Sequence, residues 1–123
     1  MRNAARLKAG YYPLDQREAG RMRNFLIFSG QETAVVDPCA GTGAALRLIA
    51  DAEQVIRHGI ELDAYRADES RTTVHHVVQG NAFDVQSAVE SFSLLYCNPP
   101  YDHEIGENRN ARKRPYKGIN CWE

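Results

Sequence analysis

The chain has 123 residues, of which 43% are hydrophobic and 25% are charged. This length predicts one domain with a single hydrophobic core, and we expect no second domain. The 15 Lys and Arg residues balance 16 Asp and Glu residues, and the formal net charge of −1 excludes nucleic-acid binding driven by the charge of the whole chain.

Cysteine usage and hydropathy favour a cytoplasmic protein. The three cysteines, Cys39, Cys97 and Cys121, are odd in number and widely spaced, which is not typical of a disulfide framework. The first ten residues contain no apolar signal core, and no apolar run approaches the length of a membrane span. We therefore expect a reducing, cytoplasmic environment and no membrane partner.

The first predicted element is a helix that begins after Asp15. Asp15 and Glu18 have the spacing of an N-cap residue and its N3 partner in a capping box. Apolar residues continue along one helical face until Ser29 and Gly30, where we expect the helix to end. The residues of this apolar face are Leu14, Met22, Phe25, Leu26 and Phe28.

Strands and helices alternate after this first helix. Runs rich in β-branched residues predict strands at residues 33–37, within 54–62, at 73–80 and at 92–97, and helical segments are predicted at 43–52, 63–70 and 84–91. Such alternation requires crossover connections, and therefore a parallel sheet with helices on both faces. We predict an α/β, Rossmann-like, doubly wound fold that is incomplete, with about four strands in the order 3-2-1-4 and an N-terminal helix.

Composition divides the chain into two parts. Residues 1–101 carry the predicted fold, whereas residues 102–123 are polar, with five basic side chains between residues 109 and 117. Because this tail has little apolar content, we expect a solvated or disordered segment, with a phosphate-contacting patch as the alternative.

A glycine-rich loop follows the first predicted strand, in the sequence VVDPCAGTG. Gly41 and Gly43 stand where a strand passes into a helix, a position that lets backbone approach a ligand at the helix N-terminus. A dinucleotide-binding fingerprint has a third glycine where this chain has Leu46. Asp37 ends the strand, and its carboxylate repels a pyrophosphate but suits a ligand with an ammonium group.

A second acid, Glu61, lies twenty residues after Gly41 at the end of the second strand. An acid at this position accepts hydrogen bonds from both hydroxyls of an adenosine ribose in nucleoside-binding folds. Asp37, the glycine loop and Glu61 together describe a nucleoside with a cationic amino-acid arm, which predicts S-adenosylmethionine as the cofactor. The alternatives are a helix N-terminal acid for Asp37 and a solvated strand end for Glu61.

The sequence GNAFD follows the third strand and completes the predicted cofactor site. We expect Asn81 to bond the adenine edge and Phe83 to cover its ring, and the alternative is an ordinary turn with a core phenylalanine. Neighbouring residues expected to line the same site are Pro38, Ala40, Thr42, Leu62 and Ala82.

In this order, the segments DPCAGTG, GIELD, GNAFD and NPPY resemble the class I S-adenosylmethionine-dependent methyltransferases, specifically the N6-adenine DNA type. KAGYYP, before the first helix, resembles a cofactor-contacting segment of one permuted subgroup, which implies that Tyr11, Tyr12 and Pro13 contact the cofactor. The resemblance covers residues 8–102 and implies a methyltransferase that binds and methylates DNA.

The same resemblance implies catalytic roles for Asn98, Pro99, Pro100 and Tyr101. The Asn98 side-chain oxygen and the Pro99 carbonyl accept hydrogens from an exocyclic amine and direct its lone pair at the methyl sulfonium. The two prolines hold these acceptors rigidly, and Tyr101 stacks on a base that has left the duplex. Protein-glutamine methyltransferases also use Asn-Pro-Pro-Tyr, so DNA, RNA and protein substrates stay open.

Three classes of protein fit a chain with four predicted strands: an active adenine methyltransferase, a truncated cofactor-binding module without turnover, and a non-enzymatic protein that binds nucleic acid or protein. The fourth strand lies at a sheet edge, which predicts a homodimer or a partner chain there. His75 and His76 are adjacent in a strand and point to opposite faces, so we expect no metal site.

Overall fold

The computed structural model describes residues 12–100, and every structural statement below refers to them. Pro13–Asn98 forms one compact unit. Tyr12, Pro99 and Pro100 are the described residues of a second unit. The predicted basic tail and two predicted site residues, Tyr11 and Tyr101, lie outside the described part of the chain.

The compact unit contains a four-stranded parallel sheet. Its strands are β1 (Thr33–Asp37), β2 (Val55–Glu61), β3 (His76–Gln79) and β4 (Leu94–Leu95), in the order β3-β2-β1-β4. The predicted α/β class and strand order are confirmed. β2 pairs with β1 along five residue pairs, whereas β4 pairs with β1 along two.

Three short helices within residues 12–100 accompany the sheet. They are α1 (Gln16–Arg23), α2 (Ala44–Ile49) and α3 (Ala64–Ser70), and a 3-10 turn covers Ala82–Asp84. Aspartates begin two of the helices: Asp15 accepts the Arg17 N–H, and Asp63 accepts the Arg66 N–H. These caps satisfy backbone donors that the first helical turn leaves unpaired.

The hydrophobic core lies on one face of the sheet. Val35, Val55 and Leu94 project from this face, and they pack against Leu46 and Ile49 of α2. Side chains alternate between faces along a strand, so the residues two positions apart share this helix-covered face. Asp37 and Glu61 lie on the same face, because Asp37 pairs in register with Gly59, two residues before Glu61.

The predicted first helix is too long. α1 ends at Arg23, with Asn24 as its C-cap, instead of continuing to Ser29. Phe25, Ile27 and Phe28, which follow, are aromatic or β-branched and favour helix weakly, and the Phe25 side chain is 88% exposed. Because Phe25 and Ile27 are exposed, burial of their side chains does not compensate for this weak propensity.

The predicted helix at residues 84–91 is wrong. After the 3-10 turn the chain follows an irregular path to β4, and Glu90 has a positive φ of 59°. Val85 and Val89 are β-branched, and Val89 is exposed, so a helix here lacks a buried face to stabilise it. The predicted helix at 43–52 and strand at 92–97 also shorten, to six and two residues.

Without that helix, the second face of the sheet is open in the described part of the chain. A groove of 490 Å³ lies on it, lined by Val36, His58, Ile60, Val78 and Leu95 among others. The expectation of helices on both faces is therefore not met by the described residues. Each helix among residues 12–100 also falls short of the length and apolar content needed to cross a bilayer.

Candidate functional site

The predicted site residues follow the carboxyl ends of the four parallel strands. Asp37 ends β1, Glu61 ends β2, Asn81 comes two residues after β3 and Asn98 three residues after β4. Parallel strands end at the same edge of a sheet, and ligands of open α/β folds bind outside that edge. The topology therefore brings the sequence motifs to one edge of the sheet.

The glycine loop between β1 and α2 has the backbone conformation that its glycines predict. Gly41 and Gly43 have φ angles of 57° and 79°, in the left-handed region that side chains disfavour. Gly43 also lies against the end of α3, where an added Cβ would come within 2.7 Å of Thr73 Oγ1 and Val74 Cγ2. This close contact fixes the loop against the turn between α3 and β3.

The Glu61 carboxylate connects the glycine loop to the start of α3. Its Oε2 accepts the Gly41 N–H at 2.8 Å, and its Oε1 accepts the Asp63 N–H at 2.9 Å. The Arg66 guanidinium donates to Oε1 from both Nε, at 3.1 Å, and Nη2, at 2.9 Å. Glu61 is 6% exposed, so the alternative of a solvated strand end is wrong for this acid.

Asp37 is the second buried carboxyl of the site and is 2% exposed. Its Oδ1 accepts the Cys39 N–H at 2.8 Å. Burial raises the pKa of Asp37 from 3.8 to about 7, the Cys39 hydrogen bond opposes that rise, and the charge of Glu61 adds to it. A buried carboxyl in this state binds a cation favourably, because a positive neighbour stabilises its ionised form.

The two carboxyls differ in the partners that offset their negative charge. Arg66 forms an ion pair with Glu61 at 2.9 Å, and its side chain is 12% exposed. The recorded hydrogen bond to Asp37 comes from a neutral backbone amide. Within residues 12–100, the negative charge on Asp37 therefore has no guanidinium contact, and a cationic group beside it would stabilise its ionised form.

The segment after β3 lies beside Glu61, because the Gly80 N–H donates to the Glu61 carbonyl at 2.9 Å. The Asn81 side-chain oxygen accepts the Phe83 N–H at 3.0 Å and begins the 3-10 turn. Phe83 is 61% exposed, which rules out the alternative of a core phenylalanine. Phe83 and the exposed Leu62 give this edge of the sheet apolar surface of the kind that covers an aromatic ring.

The other predicted site residues are described only in part. Pro38, Ala40 and Thr42 lie in the loop between β1 and α2, where the Ala40 N–H donates to the Ile60 carbonyl. Ala82 begins the 3-10 turn, and Pro13 is exposed ahead of α1. Tyr12, Pro99 and Pro100 belong to the second unit.

The histidines have separate contacts. His75 Nδ1 accepts the Arg57 N–H at 2.9 Å, whereas the His76 ring stacks on His58 with centroids 4.8 Å apart. No group of three or more His, Cys, Asp or Glu side chains suited to a metal ion occurs within residues 12–100.

Sequence reasoning did not identify Arg66. Its position five residues after Glu61 and three after the N-cap Asp63 was the available signal, because an N-cap places the next turn of a helix close to the strand end. The contact itself depends on how α3 leaves β2, which the sequence pattern does not specify.

Comparison with known proteins identifies the family. The family described as "Uncharacterised methyltransferase family (DUF6094)" matches residues 1–119. The chain therefore belongs to this methyltransferase family. No curated protein sequence matches it.

Solved structures of methyltransferases share the fold. A type I restriction-modification system methyltransferase subunit from Streptococcus thermophilus aligns with a TM-score of 0.57 and 18% identity, over 75% of this chain and 24% of that one. A putative methyltransferase from an antibiotic biosynthesis pathway of Anabaena variabilis aligns with a TM-score of 0.53 and 18% identity, over 72% and 35%. The chain thus spans about a quarter and about a third of these two proteins.

The state of Asp37 predicts how stability depends on pH. In the folded chain the pKa of the Asp37 carboxyl is about 7, whereas in the unfolded chain it is 3.8. The native state therefore binds more protons between these values, and the free energy of unfolding falls as pH rises through them, by up to about 4 kcal/mol.

Replacement of Asp37 by asparagine removes this dependence, because the amide imitates the neutral acid. We expect Asp37→Asn to match the wild type near pH 4 and to exceed its free energy of unfolding at pH 8, measured by urea denaturation. Asp51→Asn, at an exposed carboxyl, is the control. A difference between wild type and Asp37→Asn that is constant across pH contradicts the assignment.

Proposed function

We propose that this chain binds S-adenosylmethionine at the carboxyl ends of β1, β2 and β3 and forms the cofactor half of a methyltransferase that acts on N6 of adenine in DNA. The observation that carries the proposal is the pair of buried acids, Asp37 and Glu61, at the same end of the sheet. Asp37 is a buried carboxyl that no guanidinium of the described residues contacts, and Glu61 is bound to the glycine loop through Gly41. A nucleoside with a cationic arm matches this arrangement of charge and hydrogen-bond acceptors.

Each residue of the site binds a different part of the cofactor. Asp37 receives the ammonium group, the glycine loop admits the amino-acid arm close to backbone, and Glu61 accepts from the ribose. The Asn81 amide nitrogen is a donor for the adenine edge, and Phe83 and Leu62 offer exposed apolar surface to the ring. Bound S-adenosylmethionine supplies an electrophilic methyl group on a positively charged sulfonium.

Asn98 acts on the substrate nitrogen. An exocyclic amine on a purine is a poor nucleophile, because its lone pair is delocalised into the ring. The Asn98 side-chain oxygen and the Pro99 carbonyl accept the amine hydrogens, which draws the lone pair out of conjugation and orients it for attack. Tyr101 stacks on the displaced base, and Pro100 restricts the backbone between Pro99 and Tyr101.

DNA is the proposed substrate because the Asn-Pro-Pro-Tyr sequence follows β4 and because one structural neighbour is a restriction-modification methyltransferase subunit. The same tetrapeptide suits RNA or a glutamine side chain, whose amide nitrogen is also conjugated. A cofactor-binding module without turnover is the second candidate, and the observation in its favour is that β4, which precedes Asn98, has two residues and pairs with β1 along two positions.

Glu61→Ala tests the cofactor site. We expect titration calorimetry to show S-adenosylmethionine binding to the wild type and a loss of about 1.5–3 kcal/mol in the variant, the range for hydrogen bonds to a charged group. Glu18→Ala removes an exposed glutamate on α1 that pairs with Arg21, and it serves as the control. Equal affinity of Glu61→Ala and wild type, with both folded by melting curve, removes Glu61 from the site.

Asn98→Ala tests the catalytic assignment. Because Asn98 contacts the target amine, we expect methyl transfer to DNA lacking N6-methyladenine to be lost while the affinity for S-adenosylmethionine stays within about twofold, well under the tenfold change of one charged hydrogen bond. Asn24→Ala, at the C-cap of α1, is the control. If Asn98→Ala loses cofactor binding as well, the tetrapeptide has a structural role.

The outer edge of β4 is the proposed contact for a second copy of the chain or for a partner. Among the described residues, β4 pairs only with β1, and Leu95 is 60% exposed. Unpaired strand edges with apolar side chains attract further strands. We expect sedimentation to show an associated species at micromolar concentration, dissociated by Leu95→Lys but not by Val89→Lys, which changes an exposed residue outside the sheet. A monomeric wild type with full methylation activity contradicts this contact.

A further inference from the structure

The four hydrogen bonds to Glu61 are divided unequally between its two oxygens. Oε1 accepts three donors, namely the Asp63 N–H and two from the Arg66 guanidinium. Oε2 accepts one donor, the Gly41 N–H. An ionised carboxylate offers about two acceptor positions on each oxygen, so the three donors at Oε1 leave none open there, whereas the one donor at Oε2 leaves one open. The capacity that remains therefore lies on Oε2.

We propose that Arg66 is a positioning residue that closes Glu61 Oε1 to ligands, so that Glu61 reads a single ribose hydroxyl through Oε2. This inference rests on the proposed function, because it concerns the nucleoside of the same cofactor. It revises the expectation that Glu61 binds both ribose hydroxyls. The second hydroxyl then contributes little to affinity through this acid.

The position of Arg66 is fixed from two directions. Its backbone N–H donates to the N-cap residue Asp63 at 2.9 Å, and its side chain donates twice to Glu61. The Asp63 N–H donates to the same Oε1, so the start of α3 is built around this oxygen.

A ribose hydroxyl is a poor competitor for Oε1. Displacing Arg66 separates an ion pair whose members are 12% and 6% exposed, and it leaves a buried charge without its partner. A neutral hydroxyl does not compensate for that loss, whereas it joins Oε2 without displacing any donor. One-sided recognition of the ribose follows from this difference.

The experiment compares S-adenosylhomocysteine with its 2′-deoxy and 3′-deoxy analogues by titration calorimetry on the full chain. In the wild type, we expect one analogue to lose about tenfold or more in affinity, as for one hydrogen bond to a charged group, and the other to stay within about threefold. This ratio between the two analogues is the readout, because a general loss of stability lowers both affinities together.

Variants of Arg66 then locate the cause of the ratio. Arg66→Gln removes the guanidinium and opens Oε1, so we expect the two analogues to converge to within about threefold of each other. Arg66→Lys keeps a cation at Oε1, and we expect it to retain the wild-type ratio. Arg71→Gln is the matched control, because Arg71 follows α3 and forms an exposed ion pair with Asp68.

The outcomes separate this inference from the function on which it rests. Absence of S-adenosylhomocysteine binding by folded wild-type protein overturns both. Binding with equal loss for both analogues overturns the role of Arg66 alone, and so does a ratio that persists in Arg66→Gln. If Arg66→Gln fails to fold, the wild-type ratio and its retention in Arg66→Lys decide the question.

Discussion

The hydrogen-bonded carboxylate of Glu61 is the interaction on which the site depends. It joins three segments that are separate in sequence: the glycine loop through Gly41, the end of β2, and the start of α3 through Asp63 and Arg66. A carboxylate buried to this degree is stable only when it is paired and hydrogen-bonded. The same contacts that make its burial tolerable therefore hold the loop and the helix in place around the strand end.

The pairing of Glu61 with Arg66 leaves the negative charge of Asp37 without a similar partner. Two buried carboxyls at one end of a sheet repel each other, and among residues 12–100 the guanidinium of Arg66 contacts Glu61 and not Asp37. The charge on Asp37 is therefore the less supported of the two, which is why burial and Glu61 raise the pKa of Asp37. The ionised form of such an acid favours a cationic ligand group over an anionic one such as a pyrophosphate.

The sequence predicted the elements that strong local signals specify. Strand order, the glycine loop and the proximity of Gly41 to Glu61 followed from β-branched runs, turn residues and a spacing of twenty residues. The missing helix after β3 and the early end of α1 were not predictable in this way, because short amphipathic segments become helical only when tertiary packing buries one face. The role of Arg66 was not predictable for a related reason, because its contact with Glu61 depends on the direction in which α3 leaves the sheet.

The two halves of the proposed chemistry differ in how firmly the described structure holds them. The acids Asp37 and Glu61 end the two best-paired strands and lie on the face that α2 and α3 cover. Asn98 follows β4, which has two residues and pairs with β1 alone among the described strands. The side chains on the opposite face of these strands line the open groove. A partner that covered this groove and the β4 edge would therefore affect the position of Asn98 far more than the positions of the two acids. In the proposed function, cofactor binding therefore depends less than catalysis does on further pairing of the sheet.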